Sequence, residues 1–332
     1  MYRNSLPFLL LSLAAAVAAS WAGTGPEFQY TYLAGSLPDT LHQDDSPFMA
    51  LDDLYAYDTV VEPGVEILFT ANTKLDLSSA TNFYCLGTEA SPVLLHDAGL
   101  GPWGGVYLSP SVNGQSIHIA HMTIQAATTG LEILNQYGRT SSIALDTVAI
   151  VGCADNGLYL HGNSSIDSIT VVGLEVSGAT SGIYVVEGGT VPSTFRDCYV
   201  HNNTIGVFVN HTYEVVSFIE CTVEQNEHGF QPYSPIAVNY SYIRDNSEFD
   251  VWVGCSVTQA PSLNFQYCYW SLSTTQEMID EGLFSDISTI YDWWDDHAKS
   301  IVDYSGFDGG PTGVQVGRFE PTSWSALKRS FK

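Results

Sequence analysis

Between Ser116 and Trp270 one short pattern is written seven times, and it limits what this chain can fold into more than any other feature. Its anchors are Met122, Val148, Leu174, Cys198, Cys221, Ser241 and Cys268, separated by 26, 26, 24, 23, 20 and 27 residues. Three positions before each anchor stand Ile119, Leu145, Val171, Phe195, Phe218, Val238 and Phe265. Five before stand Ile117, Ile143, Ile169, Ser193, Val216, Ile236 and Leu263, and two after stand Ile124, Ile150, Val176, Val200, Val223, Ile243 and Trp270. Eight or nine residues after the first five anchors comes a glycine: Gly130, Gly157, Gly182, Gly206 and Gly229.

Apolar residues two apart mark one face of a strand. A period near 24 residues holds about three short strands with their turns. Such a unit cannot bury its apolar face alone, so successive units must stack around a shared core. Rungs then repeat at roughly 4.8 Å, and like residues form columns. The pattern predicts an all-β parallel β-helix, a single-chain solenoid of roughly ten rungs, over 51–270. Cys153 falls where later rungs place Asn203, Asn226 and Asn246, which predicts an internal asparagine ladder along the stack.

The formal charge of −26, with only ten Lys plus Arg, argues against nucleic acid as a partner, because phosphate binding needs clustered basic residues. Metal cations and neutral, sugar-like ligands are compatible with that charge. At the N-terminus, Arg3, the apolar run Leu6 to Ala18 and the small residues up to Ala22 read as a secretory signal over 1–22. That run is too short for a membrane span, so the mature chain is expected to be secreted or at the cell surface. Six cysteines in an exported chain raise the question of bridges. Their inward columns favour buried thiols, with Cys198–Cys221 the one pair whose stacking would permit a bridge.

Residues 23–50 show little periodicity and read as a leader or edge-covering segment. After the repeats, Thr274 and Glu277 read as a capping box opening a helix from Thr275 to Glu281. With Trp293 and Trp294 packed inside it, the segment 271–308 forms a C-terminal cap over the last open strand edge. A linker and basic amphipathic tail follow over 309–332, with Trp324, Leu327 and Phe331 at helical spacing, read either as a helix on the last rung or as a sorting or docking signal.

The steps Val61-Glu62-Pro63-Gly64-Val65-Glu66-Ile67, Leu86 to Val93 and Trp103-Gly104-Gly105-Val106 resemble the opening rungs of secreted bacterial right-handed β-helix proteins, related in fold to the pectate-lyase-like superfamily. Tyr291 to Asp296 and Ile301-Val302-Asp303-Tyr304-Ser305 resemble that family's end. The resemblance implies the right hand of the solenoid; it carries little about activity. Pectate lyases use a Lys or Arg base with Ca²⁺-binding Asp residues, yet no lysine lies between Lys74 and Lys299, and Arg139, Arg196 and Arg244 share no column. The polygalacturonase steps Gly-His-Gly and Arg-x-Lys are also missing from the rungs.

Outward positions form columns too. One holds Glu132, Tyr159, Tyr184, Phe208, Gln231 and Trp252, and another holds Thr123, Ala149, Glu175, Tyr199, Thr222, Tyr242 and Tyr269. Exposed rings along a rigid rod suit the apolar faces of pyranose rings; equally, aromatics are good strand residues that stack for stability. Tyr159, Tyr184 and Phe208 are expected to be at least partly exposed. Asp197 and Glu220 precede successive anchors, so they offer a carboxylate pair for glycoside hydrolysis or for Ca²⁺. His201, Glu224 and Arg244 stack one step past the second inward column, as an acid–base group or as a charge ladder on a solvated face. Nine histidines lack a spacing such as H-x₃-H, so no zinc site is expected. Three functions stay open. The chain is a non-catalytic exported protein binding glycan or a cell-surface partner, a polysaccharide lyase or glycoside hydrolase, or a structural spacer.

Overall fold

The computed structural model describes residues 30–111, 113–135, 141–162, 168–186, 194–210 and 215–307. The expected export signal and the linker and tail lie outside the described residues. The described chain is a parallel β-helix built of two all-parallel sheets, one of 20 strands and one of 11. Each rung gives one strand to the smaller sheet and, as a rule, two to the larger. Gln115–Ala120 pairs with Ser141–Asp146 in the first, while Met122–Gln125 and Leu131–Asn135 pair with Ala149–Val151 and Asn156–Gly162 in the second. Ile117 lies opposite Ile143, and Ile124 opposite Ile150, so the counted columns are the physical register.

Stacking reaches beyond the expected bounds at both ends. Within the segment read as a leader, Thr31–Ser36 and Phe48–Tyr55 pair in parallel, and Thr40–Leu41 opens the smaller sheet. Past Trp270, Ile290–Tyr291 continues on Phe249–Trp252, and Ile301–Asp303 on Ser262–Asn264. Among the described residues, strand pairing makes eleven rungs in the smaller sheet, in line with the roughly ten that the period suggests.

The core is one continuous cluster running the length of the stack. Ile119, Leu145, Val171, Phe195, Phe218, Val238 and Phe265 are all at most 1% exposed, and Phe195 and Phe218 stack with centroids 4.8 Å apart. The glycine column has a backbone cause. A Cβ on Gly206 would stand 2.6 Å from the carbonyl oxygen of Gly229, and one on Gly182 would stand 2.7 Å from that of Gly206. Stacked backbones approach too closely there for any side chain.

Two corners recur along the counted repeats, and both use left-handed backbone. The first lies at His121, Thr147, Gly173, Asp197, Glu220, Tyr240 and Tyr267, with φ from 46° to 66°. The second lies at Ala126, Gly152, Gly178, Asn202, Gln225 and Asp245. A non-glycine residue there costs about 1–2 kcal/mol. The ladder offsets this: Asp197 donates its backbone N–H to Ile219 O and Asn202 to Gln225 O, each at 3.1 Å.

Inside the second corner the asparagine ladder is present. Asn203 Nδ2 donates to Asn226 Oδ1 and Asn226 Nδ2 to Asn246 Oδ1, both at 3.1 Å, while the same oxygens accept the backbone N–H of Asn203 and Asn226. All six cysteines are free and buried, Cys198 and Cys221 included.

The C-terminal helix differs from the expected one. It spans Leu272–Glu281, and Ser271 is its N-cap, accepting the Thr274 N–H at 3.2 Å. Glu277 instead accepts from Ser288 N and Oγ at 2.9 and 2.7 Å, tying the loop beyond the helix. Nor do the two tryptophans form the cap's interior: Trp294 is 38% exposed, and half-buried Trp293 stacks on His297. Met278, Ile287, Ile290, Tyr304 and Phe307 are buried there instead. A Trp-Trp step between acids carries no periodicity to tell which side faces inward. Among the described residues no helix is long and apolar enough to cross a membrane.

Candidate functional site

The strands that follow the glycine column carry the longest outward feature. Register places Tyr159 against Tyr184 and Tyr184 against Phe208. Their centroids are 5.2 and 4.6 Å apart. At the next rung Gln231 would interrupt the rings, but Tyr233, two residues on, fills the gap. It lies 5.4 Å from Phe208 and 5.8 Å from Trp252. Tyr291 then stacks on Trp252 at 5.7 Å and 13°. Six rings thus form one chain along successive rungs, and each of the six is half-buried. Tyr233 and Tyr291 escaped the sequence pattern, the first through its offset and the second because it lies past the last counted repeat.

At its N-terminal end the stripe runs into charge. Glu132 sits between Tyr107 and Tyr159 in register. Burial pushes its carboxyl above the usual range, against the pull of Lys74 and His161. Lys74 Nζ lies 4.2 Å from the Tyr107 ring centroid and 3.1 Å from Asp76 Oδ2.

The second outward column becomes a tied network. Tyr199 donates its hydroxyl to Glu224 Oε1 at 2.8 Å, and Arg244 Nε donates to Glu224 Oε2 at 2.8 Å. Glu224 is only 4% exposed, so the expected solvated charge ladder is in part a buried ion pair. Long neighbours on the adjacent rungs lie over it. His201 stacks on Tyr199 at 4.1 Å and turns Nε2 toward Glu175, 3.5 Å away. Tyr242 lies 5.8 Å under the Arg244 guanidinium and 5.2 Å from Tyr269. Buried and bonded on both oxygens, Glu224 ties three rungs together through Tyr199 and Arg244, whereas a general base has to reach its substrate.

Asp197 and Glu220 occupy consecutive first corners, as their spacing implies. Glu220 Oε2 accepts from Arg196 Nη1 at 2.7 Å. Partial burial, and then the Glu220 charge, raise the Asp197 carboxyl, with Arg196 opposing. One acid is therefore held more readily protonated beside one that is ion-paired, a division that acid–base chemistry can use. A Ca²⁺ ion here would have to displace the Arg196 guanidinium.

A fourth cluster leaves only a faint trace in the sequence. Glu227, His228 and Glu248 bring one ligand atom each to within 4.8 Å of one another. Residues 227 and 228 are adjacent, but Glu248 joins them only through rung register, its N–H donating to Glu227 O at 2.9 Å. An acid-His step followed one period later by an acid is the signal that points to it.

Comparison with protein-family models, with curated proteins and with solved structures found no match for this chain.

Proposed function

We propose that this chain is an exported, non-catalytic β-helix protein that binds a glycan, or a glycan-bearing surface partner, along its aromatic stripe. The observation that carries the reading is the continuity of the stripe: six half-buried rings from Tyr159 to Tyr291 in contact rung after rung. Rings held on a rigid rod lose little freedom when a sugar face covers them, and each offers a large apolar area. The charge of −26 turns the preference toward neutral glycans, since anionic ones would be repelled. The resemblance of the opening and closing rungs to secreted bacterial right-handed β-helix proteins supports export, as does the basic-then-apolar N-terminus.

A panel of neutral and acidic glycans, read for binding and for cleavage together, tests this. Saturable binding of a neutral glycan without turnover is expected, weakened when Tyr184 and Phe208 are both replaced by Ala. Equal binding by that double variant would remove the stripe from the reading.

The Asp197–Glu220 pair favours one second reading, a polysaccharide lyase or glycoside hydrolase working at the first corner. It requires new reducing ends or unsaturated products from the same panel, lost in Asp197→Asn. If neither binding nor turnover appears, the spacer reading remains.

A further inference from the structure

We propose that Glu227, His228 and Glu248 form a binding site for a divalent transition-metal ion of the zinc class, independent of any glycan. His228 Nε2 lies 3.5 Å from Glu248 Oε2 and 3.9 Å from Glu227 Oε1. A tetrahedral ion with bonds of about 2.1 Å sets its ligand atoms about 3.4 Å apart. The nitrogen–oxygen edges are therefore near their bound length before any ion arrives. Both carboxylates are roughly half exposed, with side chains 46% and 55% accessible, so they are free to close the remaining distance.

The imidazole is held for this task from behind. Its ring lies parallel to that of Phe249, at 7° with centroids 5.9 Å apart. Nδ1 is buried without a hydrogen-bond partner, so Nε2 is the nitrogen open to an incoming ion. Metal-bound histidines usually take their orientation from a hydrogen bond at the second nitrogen; here the Phe249 stack supplies it.

Electrostatics favour a cation at this point. Two carboxylates on adjacent rungs repel each other, and the cluster sits on a chain of charge −26. The mixed imidazole and carboxylate donors select the chemical class, because Ca²⁺ and Mg²⁺ prefer oxygen alone and ask for six or more donors. Three protein ligands leave the fourth position of a tetrahedral ion to water.

The test is calorimetric titration of the chelator-treated full chain with zinc chloride, repeated with calcium chloride, alongside thermal melts. One zinc per chain with saturating stabilisation is expected, and calcium should bind far more weakly. His228→Gln should abolish the site, and Glu248→Gln should weaken it at least tenfold. Because Glu227 and Glu248 are exposed, the variant carrying Gln at both keeps the fold and serves as the folded control, with unchanged circular dichroism and no site. The proposal fails if zinc binds no better than calcium. It fails equally if all variants bind zinc like the parent, which would mark diffuse association with an acidic surface. Absence of zinc binding would overturn the proposal outright.

Discussion

The rungs before and after residue 190 solve the same corner in two ways. In the N-terminal rungs the anchor column is Met122, Val148 and Leu174, and the column inside the second corner is Ala127, Cys153 and Ala179, all buried. In the C-terminal rungs the anchors become Cys198, Cys221, Ser241 and Cys268, and the second column becomes Asn203, Asn226 and Asn246. There each group finds a partner: Cys221 Sγ donates to Ile219 O at 3.4 Å, and Ser241 Oγ to Asn239 O at 2.9 Å. The junction is visible where Asn203 Oδ1 accepts the Ala179 N–H at 3.0 Å. One backbone path thus accepts an apolar filling or a polar one. The polar one holds because each amide in it is satisfied by the next, and the last, Asn246, by Asp250.

If the C-terminal filling is a true network, its middle member should matter most. Asn226→Ala removes the acceptor of the buried Asn203 backbone N–H, an orphan costing about 1–3 kcal/mol, and one bond each from Asn203 Nδ2 and Asn246 Oδ1, about 1 kcal/mol apiece. A loss of about 4 kcal/mol is expected in chemical denaturation, against about 1 kcal/mol for Cys153→Ala at the equivalent apolar position. Similar losses at the two sites would erase the contrast.

The ladder's far end should add a pH dependence of its own, beyond the one that raised Glu132 gives the N-terminal rungs. Asn246 Nδ2 donates to Asp250 Oδ1 at 2.8 Å, and Asp250 is 1% exposed. Burial pushes its carboxyl up to about 6. The raised value means that the folded state favours the neutral acid. Its stabilising effect is full below about pH 4 and is lost as pH rises through about 6, by about 3 kcal/mol in total. Asp250→Asn should flatten the melting profile over that window. Asp292, Asp197 and Glu132, also raised by burial, shift in the same direction and leave a residual slope. A variant that melts with the parent's full pH dependence would refute the assignment.

Outside, the contrast is between a stripe and a network. Replacing Tyr184 and Phe208 with Ala should weaken glycan binding by about tenfold or more, each ring being worth about 0.5–1.5 kcal/mol beyond its area. Arg244→Ala in the tied network should leave that binding within about twofold, since its guanidinium is engaged with Glu224. Equal effects would merge the two surfaces.

The smallest effect expected is none at all. Burial pushes the thiol of Cys85 up to about 12, that of Cys153 to about 11 and that of Cys268 to about 12. A thiol reagent near pH 8 should therefore leave these three unmodified in the folded protein, whichever half they occupy, and react with all six cysteines in denaturant. Modification of Cys153 alone would show that the N-terminal filling is looser.

Much of the site's frame was legible. Tyr159, Tyr184 and Phe208 fall in one column because the glycine fixes their offset, and Asp197 and Glu220 because the anchor does. Tyr233 stands outside that column because it reaches the stripe from a neighbouring position, and the burial of Glu224 is not legible because its partners Tyr199 and Arg244 come from other rungs. The first corner is the clearest case. His, Thr, Gly, Asp, Glu and Tyr all adopt it, so no residue type announces a left-handed turn that the ladder enforces.

The sequence alone determined the inward columns and with them the β-helix, because excluding water is one requirement that many apolar residues meet at a fixed spacing. Tertiary structure decided which outward groups meet. Spacings of 20 to 27 residues change the loops from rung to rung, and a pair such as His228 and Glu248 exists only once the strands have settled into register. Burial needs only a side of the strand; a hydrogen bond or a metal ligand needs a distance, and distance is fixed by the stack.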